Sequence, residues 1–193
     1  KSKLELIMEN DIEKLKFPIG KYKAILEFNF SRTIEDIKTL ESFANNLRAS
    51  VKGLDKTDFK KSYREGGMNI AQIIHHYCDT HTYAFLRTKH TLLEDNPSVK
   101  MYEVSEFLTT PESNVLDVED SLKVIEGIHA KWVSLLKTLS QDDFNKTYYH
   151  SARDKNIILH EHVGMYAWHT KHHLVHIGMA KESIKEKGKR SKQ

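Results

Sequence analysis

One cysteine, three prolines and eight glycines are spread over 193 residues. The lone thiol, Cys78, excludes a disulfide framework within the chain and fits a reducing setting, so a cytoplasmic location is expected. Because so few residues interrupt regular structure, long helices are expected. No apolar run approaches the ~18 to 20 residues that a membrane-spanning helix needs. The opening KSKLELIMENDIEKLK has no secretory h-region before a small-residue cleavage site. The chain begins at Lys1 with Met8 close behind, and residues 1–7 read as vector or upstream sequence. A charge of one sign is also missing. The 30 basic and 27 acidic residues leave a net +3, and several of the basic ones crowd into the terminal KESIKEKGKRSKQ, which reads as a solvated tail. A nucleic-acid partner would call for a basic stripe interleaved with aromatics inside the folded part, and none is found.

What is present is helical periodicity. Ile34, Ile37, Leu40, Leu47, Val51 and Leu54 recur at spacings near three and four, predicting a helix over 31–52 capped by Ser31 or Thr33. A charged linker ending in Gly66-Gly67 reads as loop. A second helix is predicted over 69–94, with Ile70, Ile73, Ile74, Tyr77, Ala84, Phe85 and Leu92 on one face. The stretch between Pro97 and Pro111 reads as loop with a helical turn. A third helix follows over 117–139, carrying Leu122, Ile125, Trp132 and Leu136, and then SQDDFNKTYYHSARDKN has the composition of a loop. The fourth helix is predicted over 156–182. Four amphipathic helices without a convincing strand or repeat predict an all-α fold, a four-helix bundle in one domain. Residues 1–16 are expected as a flexible segment, 17–182 as the bundle and 183–193 as a basic disordered tail.

The fourth helix carries the chemistry. YAWHTKHHLVHIGMA places four histidines in eight consecutive positions, 169 to 176. They are interrupted by Trp168, Thr170, Lys171, Leu174 and Val175, which argues against a purification tag. Positions four apart on a helix point the same way, so His169 and His173 can aim at one ion, and His172 with His176 shares that register. A catalytic site needs a third protein ligand and an open position. The second helix offers His75, His76 and His81; periodicity favours His81, nearest the centre of the apolar face, without excluding the others. HEHVG at 160–164 starts like the zincin motif but ends in Gly164, so it is not one. His75, His90, His150, His160 and His172 read as surface or capping residues, Arg87 as a surface ion pair, Tyr166 and Trp168 as packing residues, and Cys78 as a bystander thiol.

Four segments in order, FPIGKY, GGMNIAQIIHHYCDTH, IHAKW and YAWHTKHHLVHI, resemble the DinB/YfiT-like superfamily, in particular its metal-dependent hydrolases related to bacillithiol transferases. The resemblance runs from about Phe17 to Ala180 and implies a DinB-type four-helix bundle, commonly a homodimer, that holds a divalent metal through three histidines. It places those ligands at His76, the second histidine of the pair, at His169 and at His173. Met68-Asn69 and Lys171 depart from the pattern at positions that are not ligands, which bears on substrate preference. Neutral imidazoles suit zinc first and nickel second. With a small-molecule substrate, such a site would activate water for hydrolysis, or a bacillithiol-like thiol for transfer to an electrophile. Asp79, three residues after His76, and His176 are expected to assist as proton acceptors or partners of the ligands, with His81 a comparable partner. The rival is a non-catalytic stress-related bundle with a structural metal or none, and such a metal would be closed by a fourth ligand from His81 or His176.

Overall fold

A computed structural model describes residues 11–99 and 103–190. Four long helices form the body: α1 (Phe30–Val51), α2 (Ile70–Leu93), α3 (Glu119–Leu136) and α4 (Leu159–Arg190). Their starts follow from capping chemistry. The Asn29 side chain accepts from the Arg32 amide, so α1 begins two residues before the expected Ser31 cap. Asn69 and Gln72 close a reciprocal capping box at α2, and the Asp117 carboxylate accepts from the Glu119 amide at α3.

α1 packs against α3 and α4, and α2 packs against the same two, so α1 and α2 stand diagonally. The order in which each helix visits the two apolar clusters gives its direction. α1 passes from Ile37 and Leu40 in one cluster to Phe43, Leu47 and Val51 in the other; α4 runs the same way, from Leu159 and Val163 to Ile177 and Ala180. α2 and α3 run oppositely, from Ile70 and Leu122 to Phe85 and Leu136. The parallel course of α2 and α3 is what requires the long crossover between them.

That crossover and the α3–α4 connection contain a small sheet, which corrects the expectation of no strands. β1 (Ser98–Val99) pairs parallel with β2 (Thr147–His150), which pairs antiparallel with β3 (Lys155–Ile158). Val99, Tyr148 and Ile157 form its own buried cluster. The turn Ser151–Asp154 separates TYYH from KNII, and Asp154 takes a left-handed φ of 47°, tolerated by aspartate. The strands are too short for alternation to stand out among polar neighbours, and β3 takes the first residues assigned to the fourth helix. At the other end α4 continues to Arg190, past the expected boundary at 182, so part of the expected disordered tail is helical. Residues 11–16, expected to be flexible, are helical as well, whereas residues 1–10 and 191–193 lie outside the described residues.

Between the two apolar clusters lies a polar layer. His81 on α2, His129 on α3 and His169 on α4 occupy it, and the site is built around them.

Candidate metal centre

His76 projects from the second turn of α2, while His169 and His173 project from successive turns of α4, on the side where these antiparallel helices meet. One nitrogen from each of the three lies within 4.8 Å of the others. His76 Nε2 stands 3.1 Å from His169 Nε2. Two nitrogens bound to one ion at ~2.0 to 2.1 Å stand about 3.3 Å apart in a tetrahedral arrangement and about 3.0 Å apart in an octahedral one. The observed edge falls between the two, so this pair of nitrogens is spaced for one divalent cation, with a His173 nitrogen within 4.8 Å of both. His76 and His173 are buried and His169 is half-buried.

The rings are neutral at pH 7. Burial, aided by the neighbouring His172, lowers the His76 pKa to about 4. Burial first and adjacent imidazoles second hold His169 and His173 well below the ordinary histidine value. Neutral imidazole is the metal-binding form, so protons compete little for these lone pairs.

His81 and His176, the two candidates for a fourth ligand, face the far edges of these rings. His81 Nε2 lies 3.1 Å from His169 Nδ1, and His81 Nδ1 lies 2.7 Å from His129 Nε2. His176 Nδ1 lies 3.1 Å from His173 Nδ1, its Nε2 lies 3.1 Å from the Leu15 carbonyl, and its ring stacks on Tyr63 with centroids 3.8 Å apart. His172, His173 and His176 also lie within metal-binding reach of one another. That second trio spends His176 Nε2 on the Leu15 carbonyl and shares His173 with the first. Asp79 is not gathered into the site: its half-buried carboxyl stands near Glu112 and His75, and among the described residues no hydrogen bond joins it to the three histidines. Burial first, then Glu112, raises its pKa, with His75 opposing.

Several other expectations change. Of the five histidines read as surface or capping, His90 is exposed and the other four are buried. His75 is held between the Ser121 hydroxyl and the Val115 carbonyl, while His172 lies between the rings of Trp168 and Phe17. His150 does cap, accepting from the Arg153 amide. Arg87 is buried rather than on the surface, and donates to the Tyr166 hydroxyl at 3.4 Å. The periodicity of one helix cannot register the loops and entry segment that cover it. Trp168 donates to the Gly20 carbonyl and the Tyr22 hydroxyl donates to the Glu161 carbonyl, so the segment around FPIGKY lies along α4 like a strap.

A cavity of ≈ 890 Å³ is lined by Arg48, Val51, Phe59 and Leu122 and touches none of these histidines. Nearer the site, a cleft of ≈ 590 Å³ is bordered by Tyr63, Arg64, Met68, Glu103, His150 and Arg153; Tyr63 is the residue that stacks on His176.

Known proteins share this chain's fold and much of its sequence. The family model of the DinB superfamily matches residues 39–177. Two relatives bear the name "Putative metal-dependent hydrolase". One, from Geobacillus kaustophilus (strain HTA426), is 34% identical over 166 residues, covering 86% of this chain and 93% of that protein. The other, from Oceanobacillus iheyensis, is 37% identical over 162 residues, covering 84% and 93%. The solved structure of YfiT from Bacillus subtilis, described as "a probable metal-dependent hydrolase with an unusual four-helix bundle topology", superimposes with a TM-score of 0.86 at 29% identity, over 89% of this chain and 98% of that one.

Proposed function

This chain belongs to the DinB superfamily, and from that premise we propose that it is a metal-dependent enzyme in which His76, His169 and His173 hold one divalent ion, zinc before nickel, with a coordination position open to a small molecule. The observation that carries the reading is the 3.1 Å approach of His76 Nε2 to His169 Nε2, with His173 in reach of the same point. Two neutral imidazoles with bare lone pairs at that distance would repel; a shared cation, or a proton on one of them, removes the conflict.

An ion bound there supplies Lewis acidity, making a water or a low-molecular-weight thiol acidic enough to act as nucleophile at neutral pH. The protein's own residues supply position and exclusion. His76 and His173 bury their edges against the bundle, and the partly exposed His169 borders the approach. His81 and His176 turn their nitrogens to the far edges of the ligand rings, which supports an open site over one closed by a fourth histidine. His176 acts through His173 and is a positioning residue here, and Asp79 has no part in this reading. The cleft beside Tyr63 offers space for a small substrate. Hydrolysis accords with the names of the relatives; thiol transfer is the alternative that the same ion permits.

The test is metal content of untagged protein, followed by chemistry. About one equivalent of divalent metal is expected in the wild type and almost none in His169→Ala, and equal content in both would end the assignment. Ester and amide cleavage compared with thiol consumption by a model electrophile then separates hydrolase from transferase. Inactivity in all three by metal-loaded protein would favour a structural site. The homodimer that the family resemblance implies is checked by sedimentation of the same preparation.

A further inference from the structure

The two ligands on α4 are backed by chains of histidines that each end on a backbone carbonyl, and a carbonyl can only accept. We propose that these two relays preset His169 and His173 as Nδ1–H tautomers, with the Nε2 lone pairs bare for metal before any ion arrives, and that His81, His129 and His176 are therefore positioning residues of the centre. The inference deepens the metal assignment above and rests on it for its purpose, though not for its geometry.

The inner relay follows from its fixed end. His129 Nδ1 lies 2.8 Å from the Leu40 carbonyl, so this nitrogen carries the proton. A neutral ring has only one N–H, so His129 Nε2 must accept, and His81 Nδ1, 2.7 Å away, must donate to it. That leaves His81 Nε2 as an acceptor, and His169 Nδ1, 3.1 Å away, donates. The proton of His169 is thereby placed on the nitrogen that faces away from His76. The outer relay is one ring shorter. His176 Nε2 donates to the Leu15 carbonyl at 3.1 Å, so His176 Nδ1 accepts from His173 Nδ1 at 3.1 Å. Rings this deep in a cluster of their own kind remain neutral, because an imidazolium there would lose hydration and meet no counter-charge. A bond donated by the ring nitrogen that does not bind metal is the general means of orienting a histidine ligand; here two other histidines transmit it from the core.

His76 is the ligand without such a chain, and the difference has a consequence. If the two nitrogens keep their 3.1 Å separation without an ion, a bare His169 Nε2 requires the proton to sit on His76 Nε2. His76 must therefore move that proton to Nδ1 when metal binds, while His169 and His173 keep their tautomers.

Long-range ¹H–¹⁵N correlation spectra of the full chain, ¹⁵N-labelled at histidine, decide this first without metal and then with one equivalent of zinc(II). Metal-free protein should show Nδ1–H for His129, His81, His169 and His173, and Nε2–H for His176 and His76. His75 and His162 act as internal references, since their Nε2 atoms face the Val115 and Ala84 carbonyls at 3.1 Å and must be Nε2–H. Zinc should change the tautomer of His76 alone. An Nε2–H proton on His169 or His173 in the metal-free spectrum overturns the proposal. His129→Phe keeps a ring against Phe43 and Trp132 but removes the inner relay; His169 should then lose its single tautomer, with zinc affinity falling about 10- to 100-fold. An unchanged tautomer and affinity in a folded variant would overturn the inner relay, and if that variant fails to fold the wild-type spectrum decides alone. The predicted tautomers in a protein that takes up no zinc would leave the relays standing and defeat the metal assignment instead.

Discussion

The same device supports the two α4 ligands from regions of opposite character. Behind His169 the support is interior: His81 and His129 are buried, stack on each other and on Phe43, and end on the carbonyl of Leu40 in α1. Behind His173 it is peripheral, because the Leu15 carbonyl that receives the His176 proton belongs to the helical segment 11–16, whose first five residues are exposed. The interior chain is fixed by packing that must form for the bundle to exist. The peripheral one depends on a strap that can open at much lower cost, as exposed segments with few buried contacts generally do. On the proposed reading, one ligand of the centre is built into the fold and the other is held by a peripheral contact.

The sharpest way to break this contrast is to remove the first ring of each relay. His81→Phe leaves the His129 Nε2 lone pair and the His169 N–H without partners inside the core. We expect zinc affinity to fall about 100-fold and stability to fall by about 1–3 kcal/mol, read by chelator competition and urea denaturation. His176→Phe retains a ring on Tyr63 and should weaken zinc about tenfold, with a smaller stability loss. Equal stability losses in the two variants would contradict the distinction. Deleting residues 1–16 is gentler still. It removes the Leu15 carbonyl, and none of residues 11–16 is buried, so affinity should drop less than about tenfold while the denaturation midpoint stays close to wild type.

A separate effect is spread along the pH axis. Burial, the first cause for both rings, lowers the pKa of His129 to about 4 and of His162 to about 3. An unfolded histidine titrates near ~6.5, so below that pH the unfolded chain binds protons that the native state refuses. Stability is therefore complete above about pH 6.5 and declines as pH falls towards about 3, by up to about 1.4 kcal/mol per pH unit for each ring. Urea midpoints at a series of pH values between neutral and acid should fall steadily, and a flat series would show that these rings are not buried neutral.

The helices were legible in the sequence because Ile37, Leu40, Trp132 and Leu136 repeat with the helical period, and most of the predicted boundaries fall within three residues. The α4 pair was legible for the same reason: an i, i+4 spacing is a statement about one helix. The choice between His76 and His81 was not, since periodicity measures depth in the core; the deeper residue, His81, lies 3.1 Å from His169 Nδ1, while His76 stands in the trio with His169 and His173. The choice of His76 came from the family resemblance. His129 was visible only as part of IHAKW, because a relay across α1, α2, α3 and α4 has no spacing in any single segment. The burial of His75, His172 and Arg87 was hidden for a related reason, as their covers come from chain far away in sequence.

X-ray absorption spectroscopy of the zinc-loaded protein tests the central claim most directly, because imidazole scattering counts the histidines on the ion. The account predicts three imidazoles with nitrogens at ~2.0 to 2.1 Å, plus at least one light atom that is not from histidine. Four imidazoles would mean that His81 or His176 closes the site, and fewer than three would mean that His76, His169 and His173 do not share an ion.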